Sequence, residues 1–180
     1  MPSNPRGSLV IRRGQRQDVP LILRFIRELA EYEKLAHEVA ATEADLEETL
    51  FGPRPTAFPL IAELDGAAVG WALYFYNFST FHGRPGIYLE DLYVTPTARG
   101  HGVGRALLAE LARIAVAEKC RRVEWAVLDW NAPSIAFYES LGAVAMNDWT
   151  VYRLTGAAME RLAGESGRGA SSLPYRPTPS

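Results

Sequence analysis

A single cysteine, Cys120, stands among 180 residues. A disulfide within the chain is therefore excluded, and a reducing compartment such as the cytoplasm is the expected location. Histidine is scarce as well: His37, His82 and His101 are scattered with no zinc-like spacing, so no metal site is expected. No stretch approaches the roughly 18 uninterrupted apolar residues of a membrane span. The polar start, Met1 to Ser8, lacks the apolar core of a signal peptide, and no membrane partner is expected. Nor is there an excess of charge of one sign. Nineteen basic residues against 21 acidic ones leave a net charge of −2, which offers no electrostatic reason to expect a nucleic-acid partner.

What remains is 48% hydrophobic and 22% charged, an ordinary balance for one globular domain with a substantial core. Residues 1–8 are expected to be flexible, residues 9–163 to form the domain, and the Gly-, Ser- and Pro-rich stretch 164–180 to be a disordered tail. Leu9 to Arg13 reads as a first strand. Asp18 is placed to cap a helix running to about Glu33, with Pro20 in its first turn. Thr42, with Asp45 three residues on, opens a second helix through a capping box. Asp65-Gly66 is the turn of a hairpin joining strands Phe58–Leu64 and Ala68–Phe78. The aromatic density from Trp71 to Phe78 predicts a central strand covered on both faces. Further strands are expected over 87–94, 122–128 and 149–154, a helix from about Gly102 or Val103 with Val103, Leu107, Leu111 and Ile114 on one face, and another over about 131–141 ended by Gly142. The order β-α-α-β-β-β-α-β-α-β predicts an α/β fold built on a single mixed, twisted sheet of six to seven strands flanked by helices.

Within that order the run Arg99-Gly100-His101-Gly102-Val103-Gly104 is the most informative. Glycines at every second position leave backbone N–H groups unshielded. The helix starting at about Gly102 or Val103 points its positive end at the same place, so the junction suits a pyrophosphate. A simple glycine-rich turn between a strand and a helix is the plainer alternative. A Walker A loop needs Lys-Ser/Thr after its last glycine, and Arg105-Ala106 stand there instead. The dinucleotide fingerprint fails because the third glycine comes one residue early. The frame that fits is Arg/Gln-x-x-Gly-x-Gly/Ala.

On this loop the chain resembles the GNAT superfamily of N-acetyltransferases, and the likeness extends over about residues 9–163. Ile87-Tyr88-Leu89-Glu90-Asp91, Leu128-Asp129-Trp130-Asn131 with Ser134 and Phe137-Tyr138, and Glu28 to Glu33 resemble the diamine acetyltransferase family. Ala126 to Asn131 and Phe78 to Phe81 look like its thialysine N-epsilon-acetyltransferase subgroup. Ser79 stands where the spermidine/spermine subgroup carries an acidic residue that grips the polyamine, so polyamine acetylation is in doubt.

The resemblance implies the GNAT fold, acetyl-coenzyme A as co-substrate without a metal, a small primary amine as acceptor, and a homodimer. It implies contacts to the co-substrate from Leu92, Tyr93 and Val94, from Arg99, Gly100, His101, Gly102, Val103, Gly104 and Arg105, and from Asn131, Ala132, Pro133, Ser134 and Tyr138. Tyr32, Glu33, Glu90, Glu124, Trp125 and Ala126 are implied on the acceptor side. Arg99 either bonds a phosphate or closes the loop, and capping of a helix explains Asn131 and Ser134 equally well.

Acetyl transfer from a thioester to an amine requires a base, because aliphatic amines have pKa values near ~10, and an acid for the departing thiolate. Glu90, mid-strand among apolar residues, is the candidate base, and the resemblance gives it that role through water. Asp91 points to the other face at a period of two and is the weaker candidate, unless a local bulge reverses the order. Tyr138 is the candidate acid, and by resemblance it protonates the coenzyme A sulfur. Eight acidic residues against one lysine between Glu28 and Glu48 would attract a cationic amine, although a solvated helix face accounts for them too. Two other activities fit the same fold: acetylation of a protein or peptide, and an inert acyl-coenzyme A-binding module.

Overall fold

Asp65 and Gly66 both take left-handed backbone, with φ of 53° and 79°. This is the geometry that matches a two-residue hairpin to the twist of its strands. They join β2 (Phe58–Leu64) to β3 (Ala67–Ser79) as the dipeptide predicts. A computed structural model describes residues 7–165. The chain divides into two units, Met1–Asp129 and Trp130–Ser180.

In the first unit, β1 (Leu9–Arg13), β2, β3, β4 (Arg84–Val94) and β5 (Val123–Trp125) form a sheet in the order β1-β2-β3-β4-β5. The pairs β1–β2, β2–β3 and β3–β4 are antiparallel, and β4–β5 is parallel. The crossover between β4 and β5 is α3 (Val103–Ala117). The two other helices of this unit are α1 (Val19–Tyr32) and α2 (Glu43–Phe51). Ile22, Phe25 and Leu29 of α1 and Leu46 and Leu50 of α2 bury against Ile61, Trp71 and Tyr93 of the sheet. Gly70, the neighbour of Trp71, lies on the other face, where a Cβ would stand 2.7 Å from the Tyr93 carbonyl oxygen and 3.3 Å from Val103 of α3. On α3 the residues at helical spacing, Val103, Leu107, Leu111 and Ile114, are buried as predicted.

Local signals hold in α2: Thr42 Oγ1 accepts the Asp45 N–H at 3.2 Å, and the Asp45 carboxylate accepts the Thr42 N–H at 2.9 Å. Asp18 departs from expectation. It stands at the start of α1 without capping it. Its carboxylate accepts from the Arg12 guanidinium at 2.7 and 2.9 Å and from the Gln15 N–H at 2.7 Å, because a charged partner outcompetes a helix amide. Arg12 also donates to Glu63 at 2.8 Å.

Among the described residues the sheet has five strands in place of six to seven. β5 is shorter than 122–128, since its one neighbour, β4, pairs with it only from Ile87 to Leu89. Residues 149–154 form no strand among the described residues: Trp149, Val151 and Tyr152 are exposed. Residues of high strand preference make a strand only where a neighbour takes their backbone hydrogen bonds. The cover on β3 is also partial. Trp71 and Tyr74 are buried, whereas Tyr76 and Phe78 are exposed beyond the helices.

The second unit holds α4 (Ala132–Ser140), followed by Gly142 with φ of 87°, and α5 (Gly156–Glu165). α5 was not foreseen, and it carries Gly164 and Glu165 of the expected tail. The rest of that tail, like residues 1–6 of the expected flexible start, lies outside the described residues. No described helix is long and apolar enough to cross a membrane.

Candidate active site

The decisive feature is a bulge in β4. Leu89 pairs with Tyr74 and Asp91 with Leu73, so Glu90 is left without a partner on β3. An extra residue shifts the alternation of a strand by one. Leu89 and Asp91 consequently lie on opposite faces although they are two positions apart. Asp91 joins Leu73 on the side of the α1–α2 core, and Glu90 is exposed. The condition under which Asp91 gains over Glu90 as a base candidate is therefore met.

Burial pushes the Asp91 carboxyl up to about 6, assisted by the charges of Glu90 and Glu33. Glu33 caps the C-terminal end of α1, and burial raises its carboxyl too. Carboxylates that neighbour one another without a compensating cation resist ionisation and favour a bound cation in its place. Among the described residues, no three His, Cys, Asp or Glu side chains are grouped to hold a metal.

Beyond Leu89, β5 no longer pairs with β4. Residues 90–94 thus have β3 on one side and, among the described residues, no strand on the other, which leaves the outward backbone groups of Leu92 open to a ligand, while the Val94 carbonyl is taken by Arg99. Tyr93 is buried, and its hydroxyl is pushed up to about 12 by burial and by its hydrogen bond to Glu28. Its side chain belongs to the core.

After β4, a single 3-10 turn at Pro96–Ala98 leads into the loop. Gly100 and Gly102 have φ of 79° and 83°, a region that disfavours any side chain, and nothing lies within 4 Å of where a Cβ would be. Gly102 caps α3 with no side-chain hydrogen bond. The first bond of the helix runs from the Ala106 N–H to the Gly102 carbonyl at 2.9 Å. The N–H groups of Val103, Gly104 and Arg105 therefore precede the intrahelical ladder. Open space, left-handed glycines and an uncapped helix start fit an anionic diphosphate. Arg99 closes this loop: its Nε donates to the Val94 carbonyl at 3.1 Å, and its guanidinium lies 4.9 Å from the centre of the Tyr32 ring. His101 Nδ1 donates to the Arg99 carbonyl at 3.0 Å.

Glu33, Glu90 and Asp91, with the loop that follows β4, form one neighbourhood. Glu124 is otherwise engaged. It pairs with Arg122 at 2.6 Å and accepts from Asn77 at 2.9 Å, so its charge is compensated. Trp125 stands opposite Leu89, and Ala126 lies just past the end of β5. Ser79 is buried with its hydroxyl 2.9 Å from His82 Nδ1 and offers no carboxylate. In the second unit Asn131 is buried and caps α4, accepting the Ser134 N–H at 3.4 Å. Ala132 and Pro133 form the first turn of that helix. Tyr138 sits on the same helix, its ring 5.4 Å from that of Phe137.

Residues 24–143 match the acetyltransferase (GNAT) family. The thialysine N-epsilon-acetyltransferase of Bos taurus is 40% identical over 168 residues, which span 87% of this chain and 98% of that protein. The L-ornithine N5-acetyltransferase of Arabidopsis thaliana is 30% identical over 89% of this chain and 90% of its own length. Among solved structures, an integron cassette protein from the mobile metagenome of V. cholerae superposes with a TM-score of 0.73 at 28% identity, covering 87% of this chain and 98% of the other. The glycine loop, the bulged strand before it and the extent of these matches agree: the chain belongs to the GNAT family of N-acetyltransferases, on the side of its diamine acetyltransferases.

Proposed function

We propose that this enzyme transfers an acetyl group from acetyl-coenzyme A to a small primary amine, of the thialysine, lysine-analogue or diamine class. The observation that carries this reading is the stretch from Glu90 to Arg105. It sets a raised carboxyl at about 6 on Asp91 a short way upstream of an uncapped helix start. The first suits a cationic amine and the second a diphosphate. The named acceptors of the relatives, thialysine and L-ornithine, are amines of this size and charge. The engaged Ser79 hydroxyl argues against a polyamine grip at that position.

The co-substrate supplies the activated acetyl group as a thioester. Backbone N–H groups from Gly100 to Arg105 hold its diphosphate, outward groups of Leu92 line the arm, and Asn131 to Ser134 add contacts from α4. Glu33 and Asp91, with the ring of Tyr32, receive the ammonium. Glu90 takes the amine proton through water, and Tyr138 returns a proton to the leaving thiolate. Asp91 as the base is a second reading, favoured by its raised carboxyl: a base works best when its pKa lies near the operating pH. The enzyme acts in the cytoplasm as a homodimer, in which the exposed 149–154 stretch meets a second copy.

Thiol release scanned over thialysine, L-ornithine, lysine, spermidine and a basic peptide tests the reading. Turnover with the small amines is expected. Turnover confined to the peptide would move the assignment to protein acetylation, and coenzyme A binding without turnover would leave an inert module. Tyr138→Phe is expected to lower kcat by about 10²–10⁴-fold, the usual worth of a positioned acid, with coenzyme A affinity retained. The pH profile separates the carboxylates. The variant among Glu90→Gln and Asp91→Asn that abolishes the acid limb of kcat/KM marks the base. If that base is Asp91, the wild-type limb falls as pH drops through about 6.

A further inference from the structure

Arg99 opens the glycine loop, yet its side chain is directed away from it. The residue is tied at three points: Nε to the Val94 carbonyl at 3.1 Å, the guanidinium over the Tyr32 ring at 4.9 Å, and its own carbonyl to His101 at 3.0 Å. Val94 ends β4, His101 lies within the loop, and Tyr32 is the last residue of α1, next to Glu33. One side chain thus bridges the segment proposed to hold the diphosphate and the segment proposed to hold the amine. A planar guanidinium suits this post. It stacks on the ring while its Nε–H bonds in its own plane, which an ammonium cannot do.

We propose that Arg99 is a positioning residue that couples the two halves of the site, so that coenzyme A binding at the loop and amine binding at the end of α1 strengthen each other. The physical cause is shared ordering. A ligand that fixes the loop fixes Arg99 and, through the stack, Tyr32, and the second ligand then meets an end of α1 that is already ordered. By linkage the factor is the same in both directions. The inference rests on the proposed binding of coenzyme A at this loop.

Calorimetric titration of the full chain with coenzyme A tests it, using wild type, Tyr32→Phe, Tyr32→Leu, Arg99→Ala and the Tyr32→Leu/Arg99→Ala double variant. Tyr32→Phe keeps the stacking ring and is expected to hold coenzyme A more tightly than Tyr32→Leu does. Tyr32→Leu is expected to bind about two- to fivefold more weakly, the worth of an exposed cation–π contact. In the Arg99→Ala background the same change should add nothing. Should Tyr32→Leu fail to fold by circular dichroism, Tyr32→Met replaces it in the single and double variants, with the same two- to fivefold loss expected because the aromatic face is gone. Wild-type affinity in Tyr32→Leu, or losses that multiply in the double variant, would overturn the coupling and leave the functional reading intact. A wild-type chain that takes up no coenzyme A would sink both.

Discussion

Two neighbourhoods of the first unit treat the same chemical groups in opposite ways. Around the start of α2 and the foot of β1 the exposed groups find partners. Thr42 and Asp45 close the start of α2 reciprocally, and Arg12 sits between Asp18 and Glu63. From Glu90 to Arg105 the corresponding groups are left open: α3 starts at a bare Gly102, and Asp91 lies beside two further carboxylates. The two carboxyls diverge accordingly. Asp18 is held below its ordinary range by its bond to Arg12, whereas Asp91 is pushed up to about 6 by burial. Satisfied groups stabilise the fold. Unsatisfied ones are what a ligand of opposite charge would bind, at a standing cost to stability.

The sharpest way to break this contrast is to make α3 start as α2 does. Gly102→Asn supplies a capping side chain of a kind that tolerates φ near +80°. Stability should be nearly unchanged. Coenzyme A affinity should fall about tenfold or more, because the amides lose a charged partner worth roughly 1.5–3 kcal/mol. Titration calorimetry beside a thermal melt reads both, and undiminished affinity would place the diphosphate elsewhere.

The two carboxyls predict opposite pH slopes. A depressed carboxyl adds stability above its unfolded value, and that stability is lost as pH falls through the folded one, so Asp18 weakens the fold in acid. For a raised carboxyl the sign inverts. Between about 4 and 6 the folded state holds more protons than the unfolded chain, and stability declines as pH rises through that window. Asp91→Asn should therefore stabilise the fold at pH 7, on the order of 1–3 kcal/mol, while lowering turnover. Urea unfolding of wild type and variant at pH 4 and pH 7 checks this: a gain equal at both values would exclude titration as its source.

A smaller effect is expected from Thr42→Ala, which removes the closed cap of α2 at a cost of about 1 kcal/mol and should leave kcat/KM untouched. Similar in size and opposite in sign is Lys119→Gly at the far end of α3. Lys119 adopts φ of 58° so that the Cys120 N–H reaches the Ala115 carbonyl at 2.8 Å. Glycine there should raise stability by about 1 kcal/mol. A loss on melting would mean that the lysine side chain contributes more than its backbone strain costs.

Much of the architecture was legible in the sequence, and the successes share a cause. The Asp65-Gly66 turn, the Thr42–Asp45 cap, the start of α3 at Gly102 and the buried stripe on that helix follow from residues within about one turn of each other. The failures share one too. Nothing in Leu89-Glu90-Asp91-Leu92 marks a bulge, since no glycine or proline interrupts the run. The extra residue exists only against the pairing of β3. The truncation of β5 follows from it, because that ladder stops at Leu89, directly before the bulge. Trp149 to Leu154 carries the aromatic, β-branched and aliphatic residues of a strand, but a strand is a relation between two segments. Asp18 could not be told from a helix cap until Arg12 was seen within 2.7 Å of it.

For this protein the residue order alone determined the hairpin turn, the starts of α1 to α4, the glycine loop and the set of candidate side chains. Those are settled by backbone sterics and by hydrogen bonds closing over three or four residues. Only the tertiary structure decided which face Asp91 occupies, where β4 and β5 separate and that Arg99 turns toward Tyr32. Each of these depends on a partner distant in sequence, and the direction of a side chain at such a place is set by the partner's position.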